Sequence, residues 1–169
     1  MIPLSFAQRR LWFVDRFEGP SATYNIPFVA RLTGVLDRDA LAAALRDVVL
    51  RHESLRTIFV LDEAGVPWQQ VVPDDELRVD VDLVDLAEAV DAAVQDAVTE
   101  AAEYCFDLSA EIPVRATLIR SAPEQHVLVL NIHHIAADGE SMMPLTRDLA
   151  EAYTARLVEI GRASCRERV

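Results

Sequence analysis

The chain has no lysine: all 16 of its basic residues are arginine. They face 28 acidic residues, and the formal net charge is −12. So acidic a chain lacks the basic face that phosphate contacts require, so neither nucleic acid nor an anionic membrane is expected as a partner. Arginine to the exclusion of lysine, with abundant Ala, Val, Asp and Leu, suggests GC-rich coding sequence and carries no mechanism. Cysteine is scarce. Cys105 and Cys165 are the only two, and their spacing fits neither a metal motif nor a disulfide framework. Histidine numbers four, and no His-Glu-x-x-His occurs, so metal is not expected. Long apolar runs are also missing; none approaches the roughly 20 residues of a membrane-spanning helix. The N-terminal MIPLSFAQRRLW lacks the basic-then-apolar order of a signal peptide. The expectation is a soluble, cytoplasmic protein.

What is present is enough for a core. Hydrophobic residues are 51% of 169, one domain's worth or one lobe of a larger one. Ser5 to Gln8 reads as a capping box opening a helix over residues 5–17. EGPS (18–21) is a turn, and NIPFVARLT (25–33) a strand whose Pro27 suggests an edge or bulge. Asp37 can cap the next helix, in which Leu41, Leu45 and Val48 or Val49 fall at helical spacing. Residues 55–61 and 66–72 flank DEAG as a hairpin. Leu77, Val79, Val81 and Leu83 alternate with polar residues and predict a strand over 77–84. A long Ala-rich helix is expected to follow Asp85 and run to about Cys105. Two strands follow, PVRATLIRS and QHVLVLNIHH, and then a helix over roughly 143–157. Long helices mixed with hairpins predict an α+β fold, helices packed on a largely antiparallel or mixed sheet.

The last eleven residues, EIGRASCRERV, change character. They have no apolar period, and they resemble a translation of a short-read sequencing adapter, AGATCGGAAGAGC, whose codons give Glu159 to Ala163. Native sequence is therefore expected over 1–158, with 159–169 foreign. Without those residues the charge is 13 minus 26, or −13, and Cys165 is lost.

The chemistry concentrates in NIHHIAADGES, residues 131–141. Side chains alternate along a strand. His126, Leu128, Leu130, Ile132 and His134 then share one face, and Val127, Val129, Asn131 and His133 the other. Two histidines pointing opposite ways do not converge on a metal. His134 ends the strand, where an imidazole can take or orient a proton. Asp138 could orient an imidazole or pair with an arginine, and Gly139 permits a turn or the close approach of a ligand. No Gly-x-Ser-x-Gly elbow accompanies them, so direct transfer is more natural than a covalent intermediate. The same residues also fit a plain strand end with a hydrogen-bonded histidine and an ordinary Asp-Gly turn.

HHIAADG resembles the His-His-x-x-x-Asp-Gly motif of the condensation domains of nonribosomal peptide synthetases. SFAQRRLWFVD at 5–15 resembles the family's first motif, RHESLRTIF at 51–59 its second, and YNIP at 24–27 is also typical. The three motifs stand in order over nearly all of residues 3–157. The resemblance implies a chloramphenicol-acetyltransferase-like fold of two similar lobes, of which this chain is the N-terminal one, with the motif in the tunnel between them. It implies peptidyl carrier domains as donor and acceptor partners, with substrates on their phosphopantetheine arms and no cofactor bound directly. His134 would be catalytic, as general base or by positioning the amine and stabilising the tetrahedral intermediate. His133 would support it. Asp138 would hold the loop by an ion pair, and Gly139 would let the backbone lie against the thioester. Trp12, Leu55 and Phe59 are expected in the core, and Arg9, Arg10, Arg51 and Arg56 in ion pairs within the lobe. Glu140 departs from the aromatic or small residue that many members carry. Without the second lobe the chain is expected to be inactive. An epimerization domain, a starter-type domain, a free-standing acyltransferase and a non-catalytic carrier-docking lobe are the rival readings. The first two motifs favour condensation, with a leaning to an L-configured donor.

Overall fold

The computed structural model describes residues 2–19, 21–87 and 90–166, with side chains as far as Glu159. Its elements are β1 (Ile2–Pro3), α1 (Phe6–Glu18), β2 (Asn25–Thr33), α2 (Arg38–Arg51), β3 (Thr57–Leu61), β4 (Pro67–Val71), β5 (Val81–Asp85), α3 (Asp91–Ala102), β6 (Val114–Ala122), β7 (Gln125–His133) and α4 (Met142–Arg166). A small sheet has the order β1-β4-β3, and the main sheet β2-β7-β6-β5. β7 runs antiparallel to both neighbours, and β5 lies parallel to β6. The result is the expected α+β arrangement on a mixed sheet.

β7 organises the core because its residues are apolar on both faces. Leu128, Leu130 and Ile132 pack with Leu41, Leu45, Val48 and Val49 of α2 and with Leu145 and Leu149 of α4. Val127 and Val129 point the other way, toward Val94, Ala97, Val98 and Ala101 of α3. Sequence alternation thus becomes two helical layers around one strand. α2 and α4 are tied together outside the core by Arg156 on Asp47 at 2.6 Å and His52 on Asp148 at 3.1 Å.

Several local signals act as read. Ser5 Oγ accepts the Gln8 N–H at 3.2 Å, and Gln8 Oε1 accepts the Ser5 N–H at 2.9 Å, which closes the capping box. Asp37 Oδ1 accepts the Ala40 N–H at 2.9 Å and caps α2. Pro27 lies on β2, an edge strand of the main sheet, where a missing N–H costs least. The β3–β4 turn is held by Asp62 Oδ1, which accepts from Ala64 and Val66, and by Gly65 at φ +77°. Leu55 and Phe59 are buried, and Trp12 packs against the cluster that holds Phe59.

Other expectations need correction. The strand predicted over 77–84 is Val81–Asp85. Leu77 and Val81 are both buried, which produces the apolar alternation, but the Leu77 N–H bonds Pro73 O in a turn. A ladder with β6 begins only at Val81. The long helix starts at Asp91, not after Asp85, and stops at Ala102, before Cys105. Asp85 instead closes β5, bonded to Arg120 and to the Ala87 N–H. α4 continues past Leu157 to Arg166, where Glu159, Arg162 and Ala163 have good helix propensity against the poor one of Gly161. Arg56 pairs with Asp74 at 3.1 Å and Arg51 with Asp148 at 3.6 Å, but Arg9 and Arg10 make no ion pair among the described residues. Both are exposed on α1, a helix that buries none of its residues.

Candidate active site

β7 delivers the two histidines to different environments. His133 turns inward, 1% exposed, its ring 6.3 Å from that of Tyr24 and 6.3 Å from that of Phe106. Its Nδ1 accepts the Ile135 N–H at 3.1 Å, so in the neutral ring the proton is on Nε2. Burial, with a smaller contribution from His134, pushes its pKa down to about 4. His133 is therefore an uncharged wedge that holds the turn by its lone pair.

His134 leaves the strand and is exposed. Its backbone N–H donates to Tyr24 O at 2.8 Å, which anchors it to the start of β2. Its Nδ1 lies 2.9 Å from Ala137 O. A carbonyl can only accept, so in the neutral ring Nδ1 carries the proton and Nε2 keeps its lone pair. The loop thus presents a base outward. Ile135, the next residue, is buried with Phe59, Phe106, Leu108 and Leu4, and pins the loop to the body.

Asp138 does not orient either imidazole, and it forms no ion pair among the described residues. Its Oδ1 accepts the Ser141 N–H at 2.9 Å and also the Ser141 hydroxyl. These bonds hold its pKa below the ordinary carboxylate range. Ser141, three residues on, satisfies Oδ1 within the loop. The charge sits just before α4, where the helix dipole favours an anion. Gly139 is exposed, without a positive φ, and a Cβ there would meet nothing within 4 Å. Neither strain nor crowding within this lobe requires glycine; a side chain would project into the open space beside the motif. Glu140 is exposed next to it.

The structure brings in Phe106, Ala137 and Ser141, to which sequence reasoning gave no role, and gives Tyr24 of the YNIP segment one. Ser141 had a readable signal, an Asp-x-x-Ser pattern at a helix start. Phe106 had none, since only the packing of two distant segments places it against His133. Among the described residues no group of three or more His, Cys, Asp or Glu could hold a metal ion. No described helix is long and apolar enough to cross a membrane.

A doubly covered central strand that ends in an outward histidine, on a mixed sheet with helices on both faces, is a chloramphenicol-acetyltransferase-like lobe. Residues 1–159 match the condensation domain family, and the chain belongs to it. The chain is 50% identical over 155 residues to a dimodular nonribosomal peptide synthase of Bacillus subtilis, and 51% identical over 155 residues to an isonitrile lipopeptide synthase of Mycobacterium tuberculosis. Each match takes in 92% of this chain and 6% of the relative. Among solved structures, the X-domain from teicoplanin biosynthesis superposes with a TM-score of 0.82 at 37% identity, over 93% of this chain and 33% of that one. The starter condensation domain of the rhizomide synthetase RzmA gives 0.82 at 26% identity, over 94% and 38%. The chain therefore spans a small part of its curated relatives and about a third of these solved domains.

Proposed function

We propose that this lobe supplies the histidine wall of a site that forms amide bonds in nonribosomal peptide synthesis. The acceptor amine, on one carrier domain, attacks the carbonyl carbon of an acyl or peptidyl thioester on another. The C–N bond forms, the C–S bond breaks, and the phosphopantetheine sulfur leaves as thiolate. The proton lost by nitrogen ends on that sulfur, by way of His134 Nε2. The observation that carries this reading is the state of His134: exposed, with Nδ1 tied to Ala137 O and Nε2 free to accept. His133 supports it as a buried spacer, Asp138 as the brace at the start of α4, and Gly139 by leaving room for the thioester. No cofactor is bound directly; the substrates arrive on the phosphopantetheine of donor and acceptor carrier domains in the cytoplasm. The opposite wall belongs to a second lobe, so the chain alone does not form the bond.

The test is His134→Ala in an intact synthetase that contains this lobe, with both carriers loaded. Amide formation should fall by about 10²- to 10⁴-fold, the usual worth of a positioned proton acceptor. An unchanged rate would sink the assignment. It would favour a second reading, a non-catalytic docking lobe, which one observation supports: an X-domain of this fold has been solved in complex with OxyB.

A further inference from the structure

Two amides lie behind the motif, Asn131 buried and Asn25 half-buried, and no reading so far uses them. Asn25 opens β2 directly opposite His133, and Asn131 stands two residues before His133 on the same face of β7. Asn25 Nδ2 donates to Ala102 O at 2.9 Å and Tyr104 O at 2.8 Å. Asn131 Nδ2 donates to Ala101 O and Ala102 O, both at 3.1 Å. These carbonyls are at the end of α3, where a helix runs out of its own donors. The Oδ1 atoms of both asparagines are buried and have no partner among the described residues, where the amides are held by their N–H groups.

The segment they fasten leads to the histidines. Tyr104 packs edge-on against Phe106, and Phe106 edge-on against His133. From the other side, Asn25 directly follows Tyr24, whose carbonyl takes the His134 N–H. We infer that Asn25 and Asn131 are positioning residues: by clamping the exit of α3 to the sheet they seat His133, and so hold His134 as the Nδ1-protonated tautomer. The clamp concerns the ring itself; its value to amide formation rests on the function proposed above.

The test separates the two. In the 169-residue chain with ¹⁵N-labelled histidine, ring nitrogen shifts report each tautomer, and the β6 and β7 amide resonances report the fold. Asn25→Asp and Asn131→Asp keep the shape and remove the donors. Groups in one network couple strongly enough that each should lower the ratio of Nδ1–H to Nε2–H tautomer at His134 by about twofold or more. Where an Asp variant does not fold, Asn25→Ser or Asn131→Ser, each with one donor left, carries the same readout. Folded variants with unchanged His134 shifts overturn the inference, and so does loss of the fold in all four, which would make the amides purely structural. If the tautomer moves but His134→Ala leaves amide formation intact, the clamp stands and the catalytic assignment falls.

Discussion

Neighbouring residues on a strand face opposite ways, and at the end of β7 this parity gives the two imidazoles different proton chemistry. His133 is harder to protonate folded than unfolded, with a pKa near 4 against an ordinary value near 6.5. Above about 6.5 neither state holds the proton, and stability is unaffected. As pH falls through the window toward about 4, the unfolded chain takes the proton first and the folded state loses stability, by at most about 2 kcal/mol at about pH 5. Urea midpoints measured at about pH 7 and about pH 5 should therefore converge in His133→Asn relative to the unaltered chain. Equal losses in both proteins would mean that His133 is not buried neutral. Parity was readable from residues 126–134, and with it the divergence of His133 and His134. The tautomers were not, because Ile135 N–H and Ala137 O are placed by the loop's own turn. The bonds of Asp138 to Ser141, three residues away, were not foreseen either.

At the scale of elements, signals confined to one turn survived, as did the segment patterns of β2, α2, β6 and β7, while the bounds of β5 and α3 shifted. The capping box of α1 involves only Ser5 and Gln8, and both bonds form. Since α1 buries no residue, its cap carries an unusual share of its stability. Ser5→Ala should cost about 1 kcal/mol, read as a shift in the denaturation midpoint, and should loosen α1 before the main sheet in hydrogen exchange. If α1 amides exchange unchanged, the cap is redundant. The boundaries of β5 and α3 were misread for a different reason. Leu77 and Val81 enter the core at a strand-like interval, though only Val81 has a ladder partner. α3 stops where Asn25 and Asn131 take its last carbonyls, a stop that belongs to two distant strands and leaves no mark in residues 91–105.

For the whole molecule, magnitudes decide what the chain can do by itself. A positioned base contributes about 10²- to 10⁴-fold, or about 3 to 5 kcal/mol, whereas holding two reactants in attack geometry is worth about 7 to 11 kcal/mol. On the function proposed above, one wall that carries His134 supplies the smaller of these. Helix α1 also leaves Phe6 90%, Phe13 60% and Phe17 80% exposed, more aromatic surface than a helix finished on its own would present. Two loaded carrier domains mixed with the 169-residue chain should therefore give amide no faster than they do without it, and His134→Ala should make no difference there. Adding the separately produced second lobe should raise the rate, and only then should His134→Ala lower it. Amide formation by the chain alone, lost in His134→Ala, would show that one lobe can align both substrates and would overturn the two-walled account.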